Sequence, residues 1–250
     1  MRALIIATAA SFIGSALAAG AEIKVISANG MREVIAETKE QFEKETGHTL
    51  AVTVVETGEI RKRVLAGEPF DVIVAPKSAV DEFEQAGKIL PGSTVQLIRV
   101  NFGLAVPVDG PKPDVSTPEG LKNTLLRAST VLITDPTTGG ISGVHLMEVL
   151  NKLGIADEMK SRLVPQPGGG FHAQRVVKGE ADIAVQAEHE IRCVKGATFL
   201  PYPAVFQRTI VFLGAVTPEA GDTAAARAYL AFITSAQTDN AFSAHCLTRG

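Results

Sequence analysis

Runs of apolar residues alternate along this chain with stretches in which apolar residues recur every three or four positions. The runs at 70–75 and 130–134 are mostly apolar and β-branched, which predicts strands buried in a sheet. The first helical stretch carries on one face Met31, Val34, Ile35, Thr38 and Phe42. Gly47 follows this stretch, and a glycine at that place ends a helix. The pattern therefore predicts buried strands separated by amphipathic helices.

The order of these elements indicates the fold class. Predicted strands and helices alternate from a first strand at 25–26 to a strand at 209–216. This alternation predicts an α/β fold in which each domain has a mostly parallel sheet flanked by helices. The turns that open helices fall into two sets, one before and one after residue 100. We therefore predict two domains that face each other across a cleft.

Small polar turns open helices at the carboxyl ends of the predicted strands, at 27–30, 56–58 and 135–142. Free backbone N–H groups and the helix dipole attract an anion at such a helix start, and ligands of α/β folds bind beyond the carboxyl ends of strands. We predict an anion site formed by Ser27, Asn29, Thr57, Gly58, Thr137, Thr138, Gly139 and Ser142. The alternative is that these side chains only cap their helices, with Thr57 as the N-cap of the second helix.

The first residues have the features of an export signal. Arg2 precedes an apolar run at 3–17, and residues 16–18, Ala-Leu-Ala, form a small-x-small cleavage site. We expect a signal peptide at 1–18, cleaved near Ala18, and a mature protein in the periplasm. No cysteine for lipid attachment follows the apolar run, so no membrane anchor is expected.

Export bears on the two cysteines of the chain. In an oxidising compartment Cys193 and Cys246 can form a disulfide. The alternative is a pair of buried free thiols. We expect the disulfide, because exported proteins rarely keep two free cysteines.

Composition and motifs argue against several classes of function. Lys and Arg total 24 against 27 Asp and Glu, a net charge of −3, so there is no basic excess for nucleic acid. The chain contains no G-x-S-x-G, no H-E-x-x-H and no cysteines at metal-binding spacing. We therefore expect no enzyme, no metal site and no cofactor, although the residue types of a triad are present in His145, His172, His189, Asp135 and Glu188.

Three short segments resemble those of periplasmic molybdate-binding proteins and of the wider group of type 2 periplasmic solute-binding proteins. They are FEKETG at 42–47, GEPFD at 67–71 and GEAD at 179–182. The resemblance implies a two-domain clamp that closes on a ligand and delivers it to an ABC permease. It also implies two interdomain crossings, with one domain formed by residues 19–100 and 212–250 and the other by residues 101–211.

The resemblance implies particular ligand residues as well. In molybdate binders the first turn supplies a serine, and Ser27 lies in or next to that position. The second turn carries paired serines there and Glu56-Thr57 here, and a tyrosine after a later strand is replaced by Gln186. These differences favour an organic carboxylate over molybdate as the ligand.

Further candidates lie in the second half of the chain. Gly170 ends a triple glycine that lets the backbone approach a ligand closely. His172 follows at a helix start, and Arg208 lies at the second crossing, where a charged donor suits a carboxylate. The alternatives are a plain loop for the glycines and a surface position for His172.

We accordingly expect a periplasmic solute-binding protein that captures a small anion, either an organic carboxylate or a tetrahedral oxyanion, for an ABC importer. Its partners would be the anionic ligand and the membrane permease, and no nucleic acid. One alternative is an exported surface or adhesin-like protein that kept the fold. A periplasmic enzyme is the other.

Overall fold

The computed structural model of this protein describes residues 20–166, 170 and 172–250. The predicted signal peptide lies outside the described residues. The strands are β1 (Glu22–Ala28), β2 (Thr49–Val55), β3 (Val72–Pro76), β4 (Val95–Val100), β5 (Phe102–Pro107), β6 (Val131–Thr134), β7 (Leu163–Gln166), β8 (Ile183–Ala187), β9 (Ala197–Pro201) and β10 (Ile210–Val216). The helices are α1 (Arg32–Thr46), α2 (Thr57–Leu65), α3 (Lys77–Gln85), α4 (Pro118–Arg127), α5 (Ile141–Leu153), α6 (Ala156–Met159), α7 (His172–Val177), α8 (Glu188–Arg192), α9 (Thr223–Thr234) and α10 (Asp239–Ala244).

The strands form two sheets with the same plan. Lobe 1 contains a five-stranded sheet of order β2-β1-β3-β10-β4 with its helices, and lobe 2 contains one of order β7-β6-β8-β5-β9. In lobe 1, β1 runs parallel to β2 and β3, while β10 runs antiparallel to β3 and β4. In lobe 2, β6 runs parallel to β7 and β8, while β5 runs antiparallel to β8 and β9. The predicted two-domain α/β fold is therefore confirmed.

Each sheet is mixed, which differs from the mostly parallel sheets expected. The reason is the path of the chain between the lobes. Strands β5 and β10 both receive the chain from the other lobe, so they begin at the edge where β8 and β3, their neighbours, end. A strand that starts where its neighbour finishes runs antiparallel to it.

The sequence pattern did not identify β7 and β9. Both are at a sheet edge, β7 contains Pro165 and β9 ends at Pro201. Edge strands are only half covered and tolerate proline, so they lack the continuous apolar run that marks a buried strand.

Helix α1 illustrates how the apolar pattern packs lobe 1. Its predicted inward face, Val34, Ile35, Thr38 and Phe42, is buried. The Phe42 ring lies 5.3 Å from the ring of Tyr229 on α9, centroid to centroid. The helix ends at Gly47, which has a φ of 75° and donates its N–H to the carbonyl of Glu43. This left-handed geometry needs glycine, as the sequence predicted.

Two local predictions at helix starts require correction. Strand β1 extends to Ala28, so Ser27 belongs to the strand and not to the turn after it. The N-cap of α2 is Glu56, in extended conformation, and Thr57 is the first helical residue. Parallel pairing of β1 with β2 continues to the pair Ala28 and Val55, which carries β1 further than residue propensities indicate.

Two short segments connect the lobes and touch each other. One is Asn101, between β4 and β5, and the other comprises residues 202–209, between β9 and β10. The hydroxyl of Thr209 donates to Oδ1 of Asn101 at 2.8 Å. The Asn101 carbonyl also accepts the N–H of Glu188 at 2.9 Å, which links this segment to the start of α8. Asn101 is therefore bonded both to the second connecting segment and to lobe 2.

A disulfide joins the lobes at a second place. Cys193 follows α8, which packs on β9 in lobe 2. Cys246 follows α10, which packs on α1 in lobe 1, and the two Cα atoms are 5.7 Å apart. The structure thus contains the pairing that the sequence suggested, and the bond spans the two lobes.

Among the residues that the structure describes, no helix combines the length and the apolar character needed to cross a lipid bilayer.

Candidate functional site

A cleft lies between the lobes, where the carboxyl ends of strands from both sheets meet. Its space, partly open to solvent, is about 440 Å³. Lobe 1 contributes the turn after β1 and the start of α2, and lobe 2 contributes the ends of β6 and β8 and the start of α5. The aromatic rings of Phe102 and Phe212, next to the crossings, line the same space. This is the location that the polar turns predicted.

Thr57 occupies the start of α2 inside this cleft. Its residue is 2% exposed, and its hydroxyl has no hydrogen-bond partner among the described residues. A buried hydroxyl left unpaired costs about 1–3 kcal/mol. The first N–H groups of a helix also lack partners within the helix. Thr57 therefore offers donors at a positive helix end to whatever enters the cleft.

The two lobes touch beside Thr57. A Cβ built on Gly58 would lie 2.5 Å from the carbonyl oxygen of Thr138 in lobe 2. One built on Gly139 would lie 2.6 Å from the backbone nitrogen of Gly58. No real side chain fits such a gap, so both glycines are required for the lobes to approach this closely. The structure is thus that of a closed clamp at this point.

The start of α5 is the counterpart of α2 in lobe 2. Ser142 is buried there, and its hydroxyl lies 2.8 Å from the hydroxyl of Thr134 at the end of β6. Both residues line the cleft with Thr57. Because each hydroxyl of such a pair keeps a further lone pair, the pair can still accept or donate toward a ligand.

The neighbouring threonines are occupied locally. Thr137 donates both its N–H and its hydroxyl to Oδ1 of Asp135, at 2.8 and 2.7 Å, and these bonds hold the pKa of the Asp135 carboxyl below its usual value. Thr138 donates its hydroxyl to the Asp135 carbonyl at 3.0 Å. Both threonines are exposed. They shape the turn that carries Gly139, while Ser142 is the polar residue of this segment that lines the cleft.

The first turn of lobe 1 presents Asn29 and not Ser27. Ser27 is fully buried and donates its hydroxyl to the Ala28 carbonyl at 3.0 Å. Asn29 lines the cleft, donates its amide to Oε1 of Glu56 at 2.8 Å and accepts from the guanidinium of Arg32. This network holds the Glu56 carboxylate at the cleft wall.

Gln186 has an internal role. Its Oε1 accepts the N–H of Ala173 at 2.9 Å, and its amide donates to the carbonyl of Gly170. The N–H of His172 donates to the same carbonyl at 2.9 Å. Gln186 therefore holds the start of α7 and Gly170 against β8. The other two glycines of the triple-glycine segment, 168 and 169, lie outside the described residues.

Arg208 lies away from the centre of the cleft. Its guanidinium is half exposed and pairs with the Glu148 carboxylate at 2.9 Å. It lines a separate cavity, on the other side of Thr57, together with Arg61 and Ser78. This cavity gives a second, more basic opening next to the cleft.

Glu190 is a cleft residue that the sequence pattern missed. It lies one turn into α8, where its Oε2 accepts the N–H of Ala187 at 3.1 Å and the amide of Gln186 at 3.4 Å. Burial, with smaller contributions from Glu33 and Glu56 in lobe 1, raises the pKa of its carboxyl to about 7. A glutamate three residues after a strand looks like an ordinary helix cap in the sequence. Only the packing of the lobes makes its environment unusual.

Two buried histidines, His172 and His189, have pKa values below the usual value of a histidine. Burial lowers the pKa values of His172 and His189 from 6.5 to about 4, with Arg175 adding to the effect on His172. The Nδ1 atoms of both rings lack hydrogen-bond partners among the described residues. Both side chains are therefore neutral at pH 7.

The histidines predict how stability depends on pH. Between pH 6.5 and 4 the unfolded chain binds protons that the folded chain does not, so the free energy of unfolding falls as the pH falls through this window. We expect the free energy of unfolding of His189→Asn to fall less between pH 7 and pH 4.5 than that of the parent protein. Urea unfolding at pH 7, 5.5 and 4.5 measures both. Parallel curves for the two proteins would contradict this assignment.

Within the described part of the chain, no group of three or more His, Cys, Asp or Glu side chains is arranged to hold a metal ion.

Comparison with known proteins agrees with this architecture. The family model described as bacterial extracellular solute-binding protein matches residues 23–246. An aconitate isomerase from Pseudomonas sp is 30% identical over 223 residues, which cover 85% of this chain and 82% of the relative. The molybdate-binding protein ModA of Azotobacter vinelandii is 28% identical over 193 residues, which cover 75% of this chain and 73% of ModA.

A solved structure has the same fold. The periplasmic molybdate-binding protein of Azotobacter vinelandii superimposes with a TM-score of 0.69 at 21% identity, covering 90% of this chain and 98% of that protein. The resemblance to molybdate-binding proteins that three short segments indicated is thus confirmed over nearly the whole described chain. The chain belongs to the bacterial extracellular solute-binding protein family.

Proposed function

We propose that this protein captures a small organic carboxylate in its interlobe cleft and presents it, in the periplasm, to the permease of an ABC importer. The observation that carries the proposal is the buried and unpaired hydroxyl of Thr57 at the start of α2. It shares the cleft with Ser142 at the start of α5. A ligand that accepts hydrogen bonds from both helix starts is held by both lobes at once.

The helix starts favour an anionic group. Each presents N–H groups without intrahelical partners at the positive end of a helix dipole, and helix α5 of 13 residues and α2 of nine are long enough for this effect. The hydroxyls of Thr57 and Ser142 add donors that need no charge of their own. A carboxylate or an oxyanion fits this part of the cleft equally well.

The acidic residues that line the rest of the cleft favour an organic carboxylate over a tetrahedral oxyanion. Glu56 and Glu190 both line the cleft, and they bring negative charge toward any ligand. A tetrahedral dianion such as molybdate has only acceptors and offers no donor to these carboxylates. An organic acid can direct a hydroxyl or a protonated carboxyl at these side chains and its carboxylate at the helix starts. The aconitate isomerase relative acts on a compound of this class, which supports the same choice.

Delivery to a permease is supported by the family and by the closed clamp. The family is one of solute-binding proteins, the molybdate-binding protein ModA is among the relatives, and the lobes meet through two glycines at the cleft. A clamp of this kind closes around its ligand by rotation of the lobes about the crossing segments.

Substitution of Thr57 tests the proposed site. Thr57→Val keeps the shape of the side chain and removes the hydroxyl, so we expect the Kd for a bound carboxylate to rise about tenfold, the loss of roughly one hydrogen bond. Calorimetry with citrate, aconitate, molybdate and sulfate gives the measurement. The thermal midpoint of the ligand-free variant should not fall, because the hydroxyl has no partner to lose.

Thr137→Val is the matched control. Its hydroxyl bonds to Asp135 and is exposed, so its removal should leave the Kd unchanged. Tight binding of molybdate with no binding of either carboxylate would overturn the ligand class. Absence of binding by all four anions would overturn the proposed function.

A further inference from the structure

The Glu190 carboxyl lies where two cavities meet. It lines the cleft that holds Thr57, and it also lines a neighbouring cavity bordered by Arg32 and Gly170. Its Oε2 is fixed by the N–H of Ala187 and the amide of Gln186. A carboxyl held in this way presents its other oxygen in a defined direction, and the residue, which is partly exposed, borders the cleft.

Charged groups from several elements face Glu190. Helix α1 contributes Arg32 and Glu33, the N-cap of α2 contributes Glu56, and the neighbouring cavity is also lined by His189 and His245. Burial and the two glutamates raise the pKa of Glu190 to about 7, and Arg32 opposes them. Near neutral pH the group is thus present in both protonation states, which is the condition for moving a proton in either direction.

We propose that Glu190 transfers a proton between two carbon atoms of an unsaturated polycarboxylate bound in the cleft, so that the clamp can isomerise this ligand as well as hold it. The inference rests on the proposed carboxylate site. It would also replace the expectation that the chain is no enzyme, which came from the absence of sequence motifs. An isolated carboxylate base leaves no motif, because its activation comes from burial and from groups distant in sequence.

The reaction needs one group and no co-reactant. The Glu190 carboxylate removes a proton from a CH₂ that lies between a carboxylate and a C=C bond. The C–H electron pair forms a new C=C bond, and the former double-bond pair moves to the far alkene carbon. Glu190 then returns the proton to that carbon, so one C–H bond breaks, one forms and the double bond moves by one position.

The cleft can stabilise the intermediate charge. During the transfer, negative charge spreads onto the carboxylate of the ligand. The starts of α2 and α5, with the hydroxyls of Thr57 and Ser142, are directed toward the same space. Donors positioned where charge develops lower the barrier of such a step.

The test separates binding from turnover. Aconitate is added to the protein, its Kd is measured by calorimetry, and its conversion and solvent deuterium uptake are followed by proton NMR in D₂O. Glu190→Gln keeps an acceptor for the Ala187 N–H and should keep the Kd within about threefold. It should lose isomerisation and deuterium uptake by at least a factor of roughly 100, the range that a positioned base supplies.

The pH profile gives a readout that a purely structural role would not change. Isomerisation by the parent protein should rise with pH through about 7, as Glu190 loses its proton. Glu180→Gln is the control, since this exposed glutamate pairs with Arg175 on the surface of lobe 2. It should keep both the Kd and the rate.

The results distinguish failure of the proposed proton transfer from failure of the proposed carboxylate site. Aconitate binding without conversion or deuterium uptake by the parent protein would overturn the proton transfer and leave the carboxylate site intact. Full turnover by Glu190→Gln would also overturn it. Lack of aconitate binding, with citrate bound, would exclude the unsaturated substrate, whereas lack of binding to every carboxylate would overturn the proposed function itself.

Discussion

Removal of the interlobe disulfide by Cys193→Ser is expected to lower the free energy of unfolding by about 4 kcal/mol. The bond closes a loop with a sequence separation of 53 residues, and the chain-entropy model gives this value for a loop of that length. Serine at position 193 leaves the backbone undisturbed, because Cys193 has ordinary helical torsion angles. Cys246 has a φ of 54°, so Cys193 is the cleaner site for the test.

Guanidinium unfolding of the parent protein and the variant, each with and without reductant, measures the effect. The variant should not respond to reductant, and the reduced parent should behave as the variant does. Cys193→Ser combined with Cys246→Ser should be no less stable than Cys193→Ser alone, since one bond is lost in both. A loss below about 1 kcal/mol would show that the unfolded chain gains little freedom from cleavage of the bond.

The same bond bears on the movement of the clamp. It ties the end of α8 to the segment after α10, while the crossings join the lobes at Asn101 and at 202–209. Ligand-free protein should therefore have a larger radius of gyration by small-angle X-ray scattering once the disulfide is reduced. Equal radii of gyration in both redox states would show that the disulfide does not limit the opening of the lobes.

Substitution of Gly58 is expected to prevent full closure of the clamp. The β-carbon of Gly58→Ala would lie 2.5 Å from the carbonyl oxygen of Thr138, a backbone atom that cannot rotate away. The lobes must separate to relieve this contact. Overpacking of this kind costs about 1–3 kcal/mol, which corresponds to roughly a 5- to 150-fold rise in Kd if the ligand is held only in the closed state.

Gly58 is in the second position of α2, so alanine suits the local helix and the folded lobe should be as stable as before. Calorimetry with the bound carboxylate and thermal unfolding without it distinguish the two effects. Gly110→Ala is the control, because a Cβ there meets only ordinary contacts of 3.4 Å or more. Parent-like affinity of Gly58→Ala would show that ligand binding does not require the lobes to touch at this point.

Much of the fold followed from local patterns. The apolar face of α1 and the glycine that ends it were readable because helix periodicity and left-handed torsion angles are properties of short segments. The buried strands β3 and β6 were readable because strands covered on both faces must be apolar throughout. The antiparallel strands of the two sheets could not be predicted from local patterns, since the direction of a strand depends on which lobe the chain has just left.

The cleft was predictable in position but only partly in composition. Thr57 and Ser142 line it as expected, because the helix that follows a strand begins at the edge of the sheet that faces the cleft. Ser27 was misplaced because β1 continues to Ala28, and Gln186 is engaged in holding Gly170. Such choices between a ligand and an internal partner depend on neighbours that are far away in sequence.

The amino-acid sequence by itself determined the class of fold, the two sets of helix starts at the cleft and the pair of cysteines, because each depends on residue type and short-range spacing. The tertiary structure alone decided that Glu56 and Glu190 approach each other from opposite lobes and that the disulfide spans them. It also decided that two glycines form the contact between the lobes. The physical reason is that burial, charge–charge distance and contacts between the lobes arise only when segments far apart in the sequence pack together.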